Sequence, residues 1–212
     1  MKITNNISEL LGALAGDGFI GNYGKRKNQF IIQFTGHAKE DKKYLEYLEN
    51  ILKEIHREIN VKYRIRNNAI WMYTYSKKLF YIFKEEFKFP EGKKGNKLSI
   101  PIEIKTKDQF MRKYIRGVFD TDGCVYFDKR KRYKQPYPRI RLEITSQKLF
   151  KEIANYLSKD FKTYIRSGKR PKFQRTYILE IYGHKQLQKW LKTIGFSNEK
   201  HMKRINASVA QW

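Results

Sequence analysis

Two short and similar segments lie roughly half the chain apart. Residues 10–18 read LLGALAGDG, and residues 115–123 read IRGVFDTDG. Each is a run of apolar and small residues that ends in Asp-Gly, so that Asp17 and Asp122 occupy matching positions. A motif that occurs twice at near half-length predicts a duplicated unit with internal pseudo-two-fold symmetry. Such symmetry would bring the two carboxylates close together.

The residue pattern that surrounds the motifs is also repeated. Residues 7–16 predict a helix, with Ser8 as its N-cap, and two alternating strands, a helix, two more strands and a further helix follow it. The same order begins again with a helix over residues 107–121. We therefore predict an α+β fold of two pseudo-symmetric αββαββα repeats, with antiparallel sheets and with the motif helices packed at the pseudo-two-fold axis.

A segment rich in turn residues separates the two halves. Residues 89–106 contain two prolines, two glycines and several lysines, a composition that opposes regular structure. We interpret this segment as a linker. The first repeat is then predicted over residues 1–88, and the second repeat, with a C-terminal helix, over residues 107–212.

The charge balance limits the class of partner. The chain has 46 Lys and Arg against 21 Asp and Glu, a net charge of +25. Self-repulsion of this size destabilises a compact state unless a polyanion is bound, and basic side chains that neutralise phosphates release condensed counterions. A hydrophobic content of 40% and an aromatic content of 15% indicate a folded core. Nucleic acid is the expected partner, although a ribosomal-type or merely soluble basic protein has a similar composition.

Several other classes of protein lack support in the sequence. There is no run of about 18 apolar residues that would span a membrane, and the N-terminus has no apolar core of a secretory signal. The single cysteine, Cys124, cannot form an intrachain disulfide or a multi-cysteine zinc site, and the four histidines have no metal-ligand spacing. We expect no membrane partner and a reducing, intracellular compartment, the cytoplasm of a prokaryote rather than an organelle.

The position of the motif acids predicts a metal site. Each acid follows a helix, where the backbone carbonyls are unpaired and the macrodipole is negative, so a carboxylate there is unfavourable without a cation. Two such carboxylates repel each other unless a metal neutralises them, and their hard oxygen ligands suit Mg²⁺. Small residues such as Gly12, Gly16 and Gly117 would let the two helices approach closely. Asp120 matches Ala15 in the first motif and is interpreted as a local hydrogen-bonding residue.

The predicted strands indicate a nucleic-acid-binding face. Apolar residues alternate with polar or basic ones, which places the two sets on opposite faces of each sheet. The residues expected on the open faces are Gln29, Gln33, Lys62, Arg64, Arg66, Arg139, Arg141, Glu143, Lys162, Arg166 and Arg175. Arg and Lys pair with guanine and Gln with adenine, whereas an ordinary solvated face would mix both signs of charge.

Basic loops between the strands are expected to hold phosphates. They are the loops 25–28, 129–134 and 169–172, which include Lys25, Lys27, Arg130 and Lys169.

Both motifs, the element order and the proline-containing linker resemble the LAGLIDADG homing endonuclease family in its single-chain, two-repeat form. Residues 194–201, IGFSNEKH, also resemble a segment that is frequent near the C-terminus of members. The resemblance implies a monomer whose sheets form a saddle over duplex DNA. It implies that Asp17 and Asp122 are catalytic metal ligands, with the carbonyls of Gly16 and Thr121 as further ligands for Mg²⁺, in place of which Mn²⁺ or Ca²⁺ can support binding.

The family pattern also suggests residues that organise water around the scissile phosphate. Members often have a glutamine shortly after the second strand and a lysine near the fourth. The candidates at the corresponding places are Gln147, Lys77 and Lys185.

The resemblance implies a Mg²⁺-dependent endonuclease that cuts both strands across the minor groove, with short 3′ overhangs, at a long site read mainly in the major groove. An RNA-binding intron maturase and an inactive sequence-specific DNA-binding protein are the alternatives. Both acids are present, which argues against the last, and the sequence does not separate the first two. A chain that starts with Met1 and ends in Gln211 and Trp212, without splicing residues, favours a free-standing intron-encoded protein over an intein-embedded one.

Overall fold

The computed structural model describes residues 1–24, 28–169 and 175–209, without the side chains of residues 169 and 209. The first half contains α1 (Asn5–Asp17), β1 (Gly18–Tyr23), β2 (Gln29–His37), α2 (Lys42–Ile55), β3 (Val61–Arg66), β4 (Ala69–Tyr75) and α3 (Lys77–Tyr81), which a π-helical turn (Ile82–Glu86) extends. A 3-10 turn (Gly95–Lys97) and α4 (Ile102–Lys105) follow. The second half contains α5 (Asp108–Asp122), β5 (Gly123–Asp128), β6 (Tyr137–Ile144), α6 (Gln147–Leu157), β7 (Thr163–Lys169), β8 (Arg175–Tyr182), α7 (His184–Thr193) and α8 (Glu199–Val209).

The strands form two four-stranded antiparallel sheets with the same topology. Their orders are β1-β2-β4-β3 and β5-β6-β8-β7. Each sheet follows its motif helix directly, because Gly18 begins β1 and Gly123 begins β5. The predicted α+β fold of two repeats is therefore confirmed. Among the helices in the described part of the chain, none combines the length and the apolar content that a membrane-spanning segment needs.

Two local details differ from the sequence-based expectation. The N-cap of α1 is Thr4 and not Ser8, because the Thr4 hydroxyl accepts a hydrogen bond of 3.2 Å from the Ile7 amide. Ser8 is fully buried, and its hydroxyl donates back to the Thr4 carbonyl over 2.8 Å. The segment 89–106 also contains regular turns, and it buries Leu98, Ile100 and Ile104 in the core.

The motif helices α1 and α5 pack against each other through their backbones. A Cβ atom added at Gly12 would lie 2.9 Å from the Tyr114 carbonyl carbon and closer still to its oxygen. A Cβ added at Gly117 would lie 2.7 Å from the Ala13 nitrogen and closer still to the Glu9 carbonyl oxygen. Only glycine allows two helices to approach so closely, and this contact brings their C-terminal ends together.

Two segments cross from one repeat to the other beside the motif helices. After α3, the chain runs to the N-terminus of α6, where Asn96 Oδ1 accepts a 2.9 Å hydrogen bond from the Gln147 amide. After α7, it runs to the N-terminus of α2, where Asn198 Nδ2 donates to Asp41 Oδ1 over 2.7 Å. Asn198 also donates to the Asp120 carbonyl over 3.2 Å, so this crossing is tied to the end of α5. The crossings repeat the symmetry of the halves and flank the two motif acids.

We expect Gly117→Ala to lower the free energy of unfolding by about 1–3 kcal/mol or more, because the added methyl group would push α5 away from the backbone of α1. Denaturant unfolding at equilibrium measures the change. Gly168→Ala is the matched control, because a Cβ atom at Gly168 meets nothing within 4 Å. Equal stabilities of the two variants would contradict the backbone contact.

Candidate metal site and nucleic-acid face

The motif acids meet at the ends of α1 and α5. Asp17 is the last residue of α1, and Asp122 is the last residue of α5. A Cβ atom at Gly16 would lie 2.8 Å from Thr121 Cβ and 3.4 Å from Asp122 Oδ2. The Thr121 hydroxyl donates within its own helix, to the carbonyls of Gly117 and Val118, both over 3.0 Å. The absence of a side chain at Gly16 thus lets all four predicted metal-site residues lie together.

The local electrostatics oppose two ionised carboxylates. Burial and the neighbouring charge of Asp17 raise the pKa of Asp122 to about 7. Burial also raises the pKa of Asp17, against the opposing charges of Lys94 and Lys200. The protein alone therefore compensates the two negative charges incompletely, and an added cation would stabilise them.

Lys94 places an ammonium group at the end of α1. Its Nζ donates to the carbonyl oxygens of Leu14 and Ala15, over 3.3 and 2.9 Å, and to that of Gly16. Burial lowers the pKa of Lys94, although the charges of Asp122 and Asp17 oppose the shift. Sequence reasoning missed this residue because it lies in the segment interpreted as a linker.

Lys200 is the second ammonium group beside the acids. Its Nζ lies 2.9 Å from Asp41 Oδ1, which also accepts a hydrogen bond from Asn198. Burial would raise the pKa of Asp41, but the His37 amide, which donates to it over 2.7 Å, and the charge of Lys200 lower it below its usual value. Asp41 is thus an ionised partner that fixes the lysine. Residues 194–201 contribute to the family resemblance in the sequence, but the sequence alone does not assign Lys200 to the site.

The oxygen ligands of the site fit a divalent cation that takes its other ligands from water and from a phosphate. In the described ranges no group of three or more His, Cys, Asp or Glu side chains could hold a metal ion. Mg²⁺ is usually bound by one or two carboxylates, with water and substrate phosphates as the other ligands. The Gly16 carbonyl already accepts a hydrogen bond from a cation, and Gly16, Lys94, Asp122 and Glu143 line an open cavity of about 220 Å³. The site therefore suits Mg²⁺ with phosphate nearby.

The structure does not bring Lys77 and Lys185 to the acids. Lys77 Nζ lies 5.9 Å from the ring centre of Phe30. Phe30 is four residues along β2 from Phe34, and Phe34 pairs with Gly18, the neighbour of Asp17. Four strand residues span roughly 13 Å. Lys185 is at a similar distance along the second sheet. The Gly183 amide donates to the Pro138 carbonyl, and Pro138 is four residues along β6 from Leu142, which pairs with Gly123, the neighbour of Asp122.

Gln147 stays a prediction as a water-organising residue. It begins α6 next to Ser146, which lines the cavity over the metal site, and its backbone amide donates to Asn96.

Asp120 is a hydrogen-bonding residue, as expected from sequence, but its partners lie in a distant segment and the role is therefore not local. Its Oδ2 accepts a 2.8 Å hydrogen bond from the Ser197 amide, and burial raises its pKa to about 8. His201 Nε2 lies 3.8 Å from its other oxygen. Asp120 thus ties the C-terminal crossing to α5.

The open face of the first sheet is basic and aromatic. Its arginines and glutamines lie where alternation placed them, because Gln33 pairs with Tyr73, and Arg64 pairs with Trp71. Together with Ile31, Arg66 and Tyr75 these residues line a groove of about 310 Å³. Sequence reasoning missed the three aromatic residues, although their alternation with Ile70, Met72 and Thr74 along β4 would have found them.

The open face of the second sheet carries more acids than expected. Arg141 Nη2 lies 2.5 Å from Glu143, Arg139 Nη2 lies 2.9 Å from Asp128, and Arg166 Nη2 lies 3.3 Å from Glu180. Glu143 is the one acid among the residues expected on the open faces, and that expectation was wrong for this sheet, which also carries Asp128 and Glu180. Arg139 and Glu180 are buried, and a buried charge needs a partner of opposite sign.

The other predicted DNA contacts have mixed outcomes. Arg175 lies four residues before the buried Leu179 on β8, and residues an even number apart share a face of a strand. Its assignment to the open face was therefore wrong. Arg130 donates to Asp128 over 2.8 Å, and Lys162 Nζ lies 5.7 Å from the ring centre of Tyr164. The residues outside the described structure are Lys25, Lys27 and the side chain of Lys169.

We expect Asp122→Asn to stabilise the metal-free protein at high pH. The pKa of Asp122 is raised from 3.8 to about 7, so its contribution to stability is fully present below pH 3.8 and is lost as the pH rises through 7. The wild-type free energy of unfolding in EDTA should fall by a few kcal/mol relative to Asp122→Asn between these values, at about 1.4 kcal/mol per pKa unit. Denaturant unfolding across this pH range measures the difference.

Asp160→Asn, which changes an exposed carboxylate, is the control for that experiment and should follow the wild-type curve. Parallel curves for wild type and Asp122→Asn would contradict the shift.

Comparison with known proteins supports the fold. Residues 109–195 match the family model described as a LAGLIDADG-like domain. The structure of I-DmoI in complex with DNA and Mn is 16% identical, with a TM-score of 0.66, and the match covers 91% of this chain and 97% of that chain. I-DmoI is described as a homing endonuclease, and other structures of it contain DNA with Ca or with Mg.

A second group of similar structures belongs to DUF199/WhiA. The N-terminal LAGLIDADG domain of DUF199/WhiA is 17% identical, with a TM-score of 0.56 and coverage of 92% of this chain and 84% of that chain. The search of curated proteins found no match. The chain contains a LAGLIDADG-like domain and has the two-repeat LAGLIDADG fold, which confirms the resemblance.

Proposed function

We propose that this chain of two-repeat LAGLIDADG fold is a site-specific endonuclease that cuts both strands of duplex DNA with Mg²⁺. The observation that carries the proposal is the meeting of Asp17 and Asp122 at the ends of the motif helices, with Lys94 and Lys200 beside them. Since one chain supplies both acids, it needs no second copy, and we propose that it acts as a monomer. We also propose that it is encoded in an intron. The similarity to I-DmoI, whose structures contain target DNA and divalent metals, supports the same reading.

The fold alone would not support an activity, because proteins with different functions share folds. The proposal depends instead on the acids and the oxygen ligands around them. Asp17, Asp122 and the carbonyls of Gly16 and Thr121 would hold the cation. A divalent cation bound there would supply positive charge for activating water and for stabilising the leaving oxygen.

The two lysines have separate positions in the proposed site. The Lys94 ammonium lies at the end of α1, where burial lowers its pKa, so that it gives up a proton more readily than an exposed lysine. The Lys200 ammonium is held by Asp41, at the opposite crossing. In this proposal both stabilise negative charge on the phosphate.

The open faces supply the DNA contacts. In sheet structures that bind the major groove, Arg pairs with guanine and Gln with adenine, while Lys and Arg on loops hold phosphates. Gln33, Arg64 and Arg66 lie together on the first sheet, and the net charge of +25 favours a long polyanion. These features support duplex DNA with a long target site.

We expect Asp17→Asn and Asp122→Asn to abolish double-strand cleavage and to leave DNA affinity largely intact, because each removes a cation ligand and leaves the sheet faces unchanged. The substrate is a randomised duplex library with candidate intron-insertion loci, incubated with Mg²⁺ or with EDTA. Wild-type protein should leave short 3′ overhangs only with Mg²⁺. Wild-type cutting by either variant would overturn the site. Tight binding of structured intron RNA without DNA cleavage would point to a maturase.

We expect Lys94→Met to lower the single-turnover cleavage rate by about 10²-fold or more, the scale of a lost donor that stabilises charge in the transition state, with little effect on DNA affinity. The nearby Lys97→Met is the matched control, because Lys97 is exposed in the adjacent 3-10 turn. An equal effect of the two substitutions would indicate a loss of general charge and would contradict the assigned role of Lys94.

A further inference from the structure

The open faces of the two sheets differ in chemistry although their topologies are the same. The first face carries Phe19, Tyr23, Gln29, Ile31, Gln33, Lys62, Arg64, Arg66, Trp71, Tyr73 and Tyr75. Among the described strand residues of this face there is no carboxylate. The second face carries Asp128, Glu143 and Glu180, each in an ion pair with an arginine. The first face is therefore the more apolar surface, and its charges are all positive.

Ile31 lies at the centre of the apolar part of the first face. It pairs with Gly21 on β1 and with Tyr75 on β4. On one side Phe19 and Tyr23 stack over Gly21 with ring centres 5.9 Å apart, and Tyr23 is 52% exposed. On the other side Tyr75 is 54% exposed and lies edge-on to Tyr73. Ile31 and the rings of Trp71, Tyr73 and Tyr75 form the apolar part of a groove of about 310 Å³, which Gln33, Arg64 and Arg66 complete and which is open to solvent.

A duplex that fills this groove would best cover the apolar part of its lining with an apolar group. In the major groove the C5 methyl group of thymine is the apolar group that the bases present, and the paired adenine offers the donor and acceptor that a glutamine recognises. Gln33 lies in the same groove as Ile31, so an A·T pair satisfies both side chains. Arg64 and Arg66 line the same groove from the edge strand β3, and we assign them here to the DNA backbone beside this pair and not to guanine.

The second face is built for hydrogen bonds instead. Glu180 accepts hydrogen bonds from the hydroxyl groups of Tyr126 and Tyr182, over 2.7 and 2.8 Å. Burial would raise the pKa of Glu180, but these hydrogen bonds and the charge of Arg166 lower it, so the carboxylate stays ionised. Although Ile178 lies on this face, it is flanked by these polar pairs and not by an aromatic groove.

We infer that the first sheet selects a half-site rich in A·T pairs by contact of thymine methyl groups with Ile31 and its aromatic neighbours, whereas the second half-site is read without such methyl dependence. This inference rests on the proposed binding of duplex DNA and adds its base preference.

Deoxyuridine tests the inference without altering the protein, because it lacks only the methyl group of thymidine. Wild-type protein first selects duplexes from a randomised library in EDTA, and Mg²⁺ then identifies those that are cut. Thymidine is replaced by deoxyuridine in one half-site at a time, and affinity is measured by competition. We expect a loss in one half-site only, of about fourfold for each methyl group that is buried.

A double-mutant cycle assigns the effect to the first sheet. Ile31→Ala should bind the thymidine and deoxyuridine duplexes almost equally in the sensitive half-site. Ile65→Ala is the matched control, because Ile65 is 60% exposed on the same sheet but pairs with the buried Ile70 on the opposite face. This variant should keep the wild-type sensitivity.

The outcomes separate this inference from the proposed function. Selection and cleavage of a duplex with no deoxyuridine effect in either half-site would overturn the inference and leave the endonuclease intact. Sensitivity that persists in Ile31→Ala, or preferred binding of single-stranded DNA that Ile31→Ala weakens, would also overturn it. Failure to select any duplex would overturn both proposals.

Discussion

The contact between the backbones of α1 and α5 determines the rest of the structure. Gly12 and Gly117 let each helix approach the carbonyl groups of the other, and Gly16 continues this approach to the helix ends. Because β1 and β5 begin directly after Asp17 and Asp122, the same contact fixes where both sheets start relative to the acids. A wider separation of the helices would move the carboxylates apart and the two nucleic-acid faces with them. The position of the acids and the spacing of the faces are therefore one constraint.

Close helix packing has an electrostatic cost at the helix ends. It brings two buried carboxylates together where both helix dipoles are negative, and the raised pKa of Asp122 reflects this burial and the charge of Asp17. The crossings offset part of the cost by bringing Lys94 and Lys200 to the acids from distant parts of the chain. A site of this kind gains stability from an added cation and from a phosphate nearby, so the strain of the free protein and the binding of a metal and DNA have one physical origin.

Much of this arrangement was predictable from sequence because it is local. The repeated motifs located Asp17 and Asp122, and two-residue alternation placed Gln33 and Arg64 on an open face. The lysines were not predictable in the same way, since Lys94 and Lys200 reach the site only through crossings between repeats. Two ion pairs of the second sheet join neighbouring strands, Arg139 with Asp128 and Arg166 with Glu180, and they depend on the register between those strands. Alternation along one strand contains no information on that register.

Duplication explains why the two faces could become different while the centre stayed similar. The motif helices contact each other, so replacing Gly117 by a residue with a side chain would disturb both repeats at once. The open faces do not contribute to that contact, and each can change without disturbing the other. On the first sheet Ile31, Tyr73 and Tyr75 line a groove together with Arg64 and Arg66, whereas on the second sheet Arg139, Arg141 and Arg166 are paired with acids. A pseudo-symmetric scaffold with dissimilar faces would read an asymmetric duplex, because each half-site meets a surface of different polarity.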